Sequence, residues 1–485
     1  MIRRTINLFL LFCCFLVPAH LWADSSAPGR IRRLLNKPAN KKAAFSIHFR
    51  DTASGKTIFD FNADRSLKPA SNMKLIISAA ALDQLGPDFT YQTQFALWRG
   101  NLVVLASGDP LMGDPALAKR RGCDIFAIFQ QILQQLRKRK IKNISGDLLI
   151  DDTIFDDVRY HPAWPDSQVN NWYRAQVSAL NFNDNCVDIN FTPAAGTGQP
   201  VIFSLNPNTS YVKITNKCTT INSGSNKIGG LRPMPLGENN ITLIGKCRNK
   251  QTIFIPIDRP SAYFGFVLAE YLLRNGIAVN GKLIIKKIRS DQGDLSQPDD
   301  LLLTYCTPLR DVLRECNQRS LNLVAECLLK TLGAHTANQS QSTSTARQGS
   351  WQTGRQAVRC FLNKLKIDHD DYKIDDGSGL SHNNRLSARC ITSVLTHIAR
   401  KKNFKLYRDS LATPLVGTLA KRHRFRESTY KNRVFVKTGH ITGAQALSGY
   451  CRTGSGRWLA FSIITNNHKN NPTGTIDTIL REMMK

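Results

Sequence analysis

Apolar and polar positions alternate with a period of two over Ala44–Arg50 and again over Lys56–Phe61, on either side of the turn Asp51–Gly55, which predicts a β-hairpin. The stretch KPASNMKLIISAAALDQLG, Lys68 to Gly86, then passes from polar to continuously apolar and predicts a helix beginning near Ser71. From about Phe95 to Arg289 the texture changes to short strands punctuated by turn residues (Ser107-Gly108-Asp109-Pro110, Gly146-Asp147, Asn181 to Asn190), broken by a helical stretch at Ile125–Lys138. Helical spacing returns at Leu309–Asn317 and at Leu321–Leu332, the latter closed by Gly333 and followed by a Ser/Thr/Gln-rich loop at Asn338–Thr353. Strand Arg433–Thr438, a hairpin over Ala446–Thr465 turning at Thr453-Gly454-Ser455-Gly456, and a helix Thr475–Lys485 complete the pattern. A strand-rich segment therefore interrupts two parts of mixed character.

The chain has 485 residues, more than one ordinary domain of ~100–200 residues accommodates, so two or three domains are expected. With 42% hydrophobic and 21% charged residues and no dominant repeat, it is expected to be globular. Arg3 and Arg4 precede an apolar run, Leu8 to Val17, that is too short to span a bilayer and ends in Val17-Pro18-Ala19, so residues 1–23 are expected to be a cleaved export signal. Leu10 to Cys13 lacks the small residue of a lipoprotein signal. The mature protein is then expected in the periplasm or another extracytoplasmic compartment. The most apolar later segment, YFGFVLAEYLLRNG from Tyr263, carries Glu270 and Arg274 and so predicts a buried helix rather than a span.

Charge and cysteine usage narrow the partners. The net charge is +30, with basic runs at Arg137–Lys140, Lys286-Lys287, Arg400–Lys402 and Lys421–Arg424. These lack interleaved aromatics and any DNA-reading motif, so no nucleic-acid partner is expected. The field suits peripheral association with acidic wall polymer or another anionic envelope surface, and solvated helix faces account for the runs equally well. Of 12 cysteines, Cys13 and Cys14 fall in the signal, and the others show no CxxC and no Cys/His cluster at zinc spacing, so neither metal nor other cofactor is expected. Buried free thiols are the commoner fate for the remainder; if a disulfide forms, Cys218 with Cys247 is the first pair to test. Ser54-Gly55-Lys56-Thr57 resembles the end of a phosphate loop, but Arg50 stands where that motif needs glycine and a strand follows instead of a helix.

Ser71 and Lys74, three residues apart on a helix, share a face at its N-terminus. A lysine desolvated there can act as general base for a serine nucleophile, although an N-cap serine with a solvated lysine satisfies the same spacing. Two further elements follow: Ser320-Leu321-Asn322 at a helix junction, and Lys437-Thr438-Gly439 ending an alternating strand. SxxK, SxN and KTG in this order resemble the penicilloyl-serine transferases. The surrounding text, with PASNMKLIISAAALDQLG, SLNLVAECLL, DGSGLS and KTGHITGAQALSGY, resembles the class C low-molecular-mass, type-4 penicillin-binding proteins, which are D-alanyl-D-alanine carboxypeptidase/endopeptidases, over nearly all of the mature chain.

The resemblance implies a mixed α/β fold: a transpeptidase-like domain with a five-stranded antiparallel sheet flanked by helices, interrupted by one or two β-rich inserted domains. The 320 − 71 = 249 positions between the first two motifs, against ~2–8 for an ordinary helix–helix connection, agree with an insertion. The expected division is 24–95 and 291–485 for the transpeptidase-like part and 96–290 for the insert. It also implies roles. Ser71 attacks the penultimate D-alanine carbonyl, Lys74 takes its proton, and Ser320 and Asn322 complete the relay and hold the substrate amide. Lys437 attracts the terminal carboxylate, Thr438 hydrogen-bonds it, Gly439 leaves room for the substrate, and the backbone N–H groups of Ser71 and His440 receive the oxyanion. Peptidoglycan stem peptides and cross-links are the implied substrates and β-lactams the implied covalent inhibitors.

His440 departs from the Ser or Thr usual after KTG. In the insert, Trp164 and Asp166 are available where the family often has a tryptophan followed by an acid, but the acidic position falls nearer Gln168. Asp376–Ser381 is expected to shape a loop, since Gly377 and Gly379 favour a tight turn. A serine β-lactamase and an inactive wall-binding protein remain as alternatives.

Overall fold

The computed structural model describes residues 26–234, 236–289, 300–339 and 348–485; the expected export signal lies outside them. Strands β1 (Ala44–Asp51), β2 (Thr57–Phe61), β3 (Val434–Ile441), β4 (Ala444–Arg452) and β5 (Trp458–Asn466) form one antiparallel sheet in the order β3-β4-β5-β1-β2. The two ends of the chain thus build a single sheet, with Ile47 of β1 opposite Ile463 of β5. Phe45, Ile47 and Phe49 point from β1 into a core shared with helix Ala27–Leu35 and the C-terminal helix, and Phe49 stacks on Phe461 at 5.4 Å. The alternate side chains are polar and equally buried. Ser46 Oγ donates to Ala63 O at 3.3 Å, and His48 Nδ1 lies 2.5 Å from Thr392 Oγ1 on the helix covering that face. Buried polar groups of a strand persist because each finds such a partner.

Helix α1 (Met73–Leu85) is buried on every side from Met73 to Leu82, so its uniformly apolar sequence reflects a helix at the centre of the molecule rather than an amphipathic one. It packs on α2 (Asn322–Gln339) and on α3 (Ala388–Ala399), and α3 in turn covers β1 and β5; α4 (Thr473–Met484) lies on the opposite face of the sheet. Gly86, at φ 85°, ends α1.

The expected stop of α2 at Gly333 is corrected: the helix continues to Gln339. Gly333 is there for contact instead. A Cβ on it would lie 2.3 Å from Thr353 Oγ1 and 2.6 Å from Gly354 N, and a Cβ on Gly354 would lie 2.3 Å from Leu329 O. The two glycines let α2 approach the helix Trp351–Lys364, which begins at the Ser350 cap inside the segment expected to be a loop.

Between α1 and α2 the chain forms a second, mixed five-stranded sheet in the order Leu283–Ile285, Leu148–Asp151, Asn101–Leu105, Thr90–Trp98, Asp300–Pro308, with helices Ala127–Lys138 and Pro260–Arg274 against it. This sheet takes in residues on both sides of the boundaries expected at 95 and 291, because Thr90–Trp98 pairs directly with Asp300–Pro308. Two three-stranded sheets complete the segment. In one, parallel pairing sets Gly245 opposite Cys218 and Thr220 opposite Cys247. The two cysteines are therefore out of line by two residues and are buried free thiols, so the pairing considered from sequence does not form. No helix among the described residues is long and apolar enough to cross a membrane.

Replacing Gly333 tests the helix contact. Gly333→Ala gains ~1 kcal/mol of helix propensity but must displace backbone on the facing helix, an overpacking cost of ~1–3 kcal/mol or more. Thermal unfolding is expected to shift to lower temperature; a rise would mean that the two helices are not in contact at this point.

Candidate active site

The N-terminus of α1 is preceded by a tight turn, Ala70–Asn72, in which Ala70 has φ 48°. The loop Asp376–Ser381 closes on it: Gly379 sits at φ +81°, and a Cβ there would lie 1.9 Å from Ala70 O. Asp376 shapes that loop as expected, accepting from Gly379 N and Ser381 N, each at 2.7 Å. Asn72 occupies the N-cap position without a side-chain cap bond, so the capping reading of Ser71 does not hold. Its hydroxyl faces Lys74 instead, 3.1 Å from Nζ.

Lys74 is fully buried, and its Nζ donates to Asn322 Oδ1 and to Ser378 O, both at 2.7 Å. These two oxygens can only accept, so they consume two N–H bonds of the amine whatever its charge. The third position faces Ser71 Oγ. It carries an N–H when Lys74 is an ammonium and a lone pair when it is neutral, so a proton can change hands across the Ser71–Lys74 contact. Burial lowers the Lys74 pKa from 10.5 to about 8, against the opposing charges of Cys316, Glu326 and Asp376. Asn322 is oriented from its other end, its Nδ2 donating to Tyr173 O at 2.9 Å from the inserted segment.

Helix Leu309–Arg314 widens into a π-helical turn, Glu315–Arg319, that delivers Ser320 in the left-handed region at φ 63°. A non-glycine residue in that region costs of order 1 kcal/mol, and such strain collects at functional sites. Ser320 Oγ accepts from Lys437 Nζ at 2.8 Å, and the same ammonium reaches Thr438 O at 2.8 Å. Lys437 is also fully buried; burial first, and then the charge of Lys74, push its pKa well below 10.5. A charge on Lys74 thus disfavours protonation of Lys437.

A cavity of about 400 Å³ brings Ser71, Ser320, Asn322, Thr438 and His440 together. Lys74 and Lys437 lie behind its wall, so Lys437 acts on the cavity through Ser320 and the strand rather than by direct contact. Gly439 is corrected in the same sense. The space where its Cβ would stand is closed by Pro69 O at 2.8 Å and Ala70 Cβ at 3.2 Å, so the glycine lets β3 approach the Ser71 turn. The exposed His440 has its pKa lowered from 6.5 by burial and the charge of Arg422.

The inserted segment contributes Gln168, Trp172 and Tyr173 to the cavity, whereas Trp164 and Asp166 do not line it. Trp164 is buried, its indole N–H donating to Asp376 Oδ2 at 2.8 Å, and Asp166 pairs with Arg174 at 2.7 Å. Four contributors were not read from sequence. Thr418 lines the cavity and accepts from Thr438 Oγ1 at 2.9 Å. Arg422 lines it too and has no carboxylate partner among the described residues; the only signal was its place in a basic run. Ser378 supplies a carbonyl to Lys74. Glu326, buried beneath the loop, accepts from Gly377 N at 2.9 Å, Ser378 N at 2.7 Å and Trp351 Nε1 at 2.8 Å, with its pKa raised to about 7 by burial and Asp376. Among the described residues no cluster of three or more His, Cys, Asp or Glu side chains could hold a metal ion.

Residues 28–483 match the D-Ala-D-Ala carboxypeptidase 3 (S13) family. The D-alanyl-D-alanine carboxypeptidase of Actinomadura sp. is 30% identical over 462 residues, covering 90% of this chain and 80% of that protein. Penicillin binding protein 4 from Haemophilus influenzae superposes with a TM-score of 0.75 at 21% identity, over 93% of this chain and 97% of that one. Its complex with a novel β-lactam superposes at 0.69, with 21% identity over 94% and 98% of the two chains. With a match that runs from Pro28 to Met483, this chain belongs to the D-Ala-D-Ala carboxypeptidase 3 (S13) family.

Proposed function

We propose that the protein is a serine DD-peptidase that opens the terminal D-Ala-D-Ala bond of peptidoglycan stem peptides, and the equivalent bond of peptidoglycan cross-links, through an acyl-enzyme on Ser71. The observation that carries this reading is the three-way environment of Lys74, which leaves one position of a buried amine facing a serine hydroxyl at 3.1 Å. Neutral Lys74 takes the Ser71 proton as Oγ attacks the carbonyl carbon of the penultimate D-alanine. The negative charge that develops on the carbonyl oxygen is received by the backbone N–H groups of Ser71 and His440. Ser320 Oγ gives its hydroxyl proton to the leaving nitrogen and is resupplied from Lys437 Nζ, 2.8 Å away, as the C–N bond breaks and the amine leaves, while the Ser71 proton stays on Lys74. Water then attacks the ester carbonyl, passing a proton through Ser320 back to Lys437, and Lys74 returns its proton to Ser71 Oγ as the ester C–O bond breaks.

The terminal carboxylate of the substrate is assigned to the side of the cavity where Thr438, Thr418 and Arg422, which has no carboxylate partner among the described residues, converge, with Lys437 contributing charge from behind. A β-lactam presents an amide carbonyl and a carboxylate in the same relation, so it acylates Ser71 as well; the β-lactam complex of the Haemophilus protein supports this. An extracytoplasmic site of action, after removal of residues 1–23, fits a wall substrate and the basic surface.

Intact-mass analysis after incubation with a labelled penicillin is expected to show one adduct on the mature protein and none on Ser71→Ala, while Lys74→Ala acylates ~100-fold or more slowly. Equal labelling of the Ser71→Ala variant would remove the nucleophile assignment. For the carboxylate side, a peptide ending in D-Ala-D-Ala is expected to be cleaved more efficiently than its C-terminal amide by about 10- to 100-fold, from the ~1.5–3 kcal/mol carried by a charge-assisted hydrogen bond. In Arg422→Gln that preference is expected to shrink; an unchanged preference would take the carboxylate away from Arg422.

A further inference from the structure

A second cavity, of about 660 Å³, opens beside the first. The two share Trp172, Arg319, Thr418 and Arg422. That shared wall is the side to which the substrate carboxylate is assigned, whereas the wall formed by Gly379, Leu380, His382 and Ile441 belongs to the first cavity alone. Whatever lies beyond the leaving nitrogen therefore points into the second cavity.

Its lining combines large aromatic and cationic side chains. Trp172 and Phe254 face it and are 41% and 46% exposed, so the cavity offers two large aromatic surfaces for contact. Lys119, Lys421 and Arg422 face it without a carboxylate partner among the described residues. The two carboxylates in the wall do not offset them. Asp184 is bonded to Arg319 at 3.3 Å, and Asp188 accepts from Asn183 at 3.1 Å and from Asn206 at 3.4 Å, with burial raising both pKa values. The cavity size falls within the ~300–1,000 Å³ usual for ligand sites.

A cross-link differs from a free stem in what leaves. The leaving nitrogen belongs to a second stem peptide, which carries carboxylates of its own beyond the one next to the scissile bond. We infer that the second cavity is the leaving-side subsite, holding this second, anionic stem peptide through Lys119, Lys421 and Arg422 against Trp172 and Phe254. The inference rests on the peptidase reading above and deepens it by locating where a cross-linked substrate is gripped.

The test compares purified cross-linked muropeptide dimer with an uncross-linked peptide ending in D-Ala-D-Ala. Two variants probe the subsite independently: Lys119→Gln with Lys421→Gln, which removes charge, and Ala116→Trp, which fills the cavity from a partly exposed helix position. In each, kcat/KM for the dimer is expected to fall at least tenfold relative to that for the free peptide, chiefly through KM. An unchanged ratio in both variants would overturn the subsite, as would a wild-type enzyme that cleaves the free peptide but not the dimer; either result leaves the peptidase reading standing. Cleavage of neither substrate by a wild-type protein that penicillin still acylates would overturn both.

Discussion

The organisation of this protein depends on one buried amine. Lys74 Nζ is out of contact with water, and an uncompensated amine in that position costs several kcal/mol, so its hydrogen-bond positions have to be filled by the fold itself. The acceptors come from Asn322, 248 residues further along the chain, and from Ser378, 304 residues further. Satisfying Lys74 therefore requires α1, the start of α2 and the Asp376–Ser381 loop to meet at one point. Gly379 lets the loop come close to the Ser71 turn, where a Cβ would lie 1.9 Å from Ala70 O, and the buried Glu326 holds the loop from beneath by accepting from Gly377 N and Ser378 N.

The inserted segment belongs to the same arrangement. It orients Asn322 through the Tyr173 carbonyl, ties Trp164 to Asp376, and sends Asp156 to the buried Lys330 at 2.5 Å. It thus helps to hold the amide that holds Lys74, while its outer surface walls both cavities. A substrate that spans the two cavities would touch both parts of the chain, which accounts for a long insertion kept in close hydrogen-bonded contact with the catalytic core.

Much of this was legible in the sequence, for identifiable reasons. The hairpin of β1 and β2 carries a strong local alternation, the run that became α1 is continuously apolar beyond the usual length of a strand, and the SxxK, SxN and KTG motifs mark the site because their residue types are tied to chemistry. Contacts between remote backbones were not legible. Gly333 reads as a helix stop on local grounds and becomes a helix-packing contact only when Gly354 is opposite it; Gly439 reads as room for a ligand and proves to be room for Pro69. Arg422 was hidden in a run of like charges. Its neighbour Arg424 pairs with Asp477, and nothing in the local sequence distinguishes it from Arg422, which has no carboxylate partner among the described residues. Trp164, for the same reason, could be recognised as notable but not placed: its partner lies 212 positions away.

The central claim is that Lys74 serves as the base with a pKa brought down to about 8 by burial, and the pH dependence of Ser71 acylation tests it most directly. An amine accepts a proton only when neutral, so activity is present above its pKa and lost below it. Measured by stopped-flow with a chromogenic penicillin, the acylation rate constant is predicted to rise about tenfold per pH unit from about pH 6 to 7 and to level off above about pH 9. A rate that stays flat across that range, or falls as pH rises, would contradict the account.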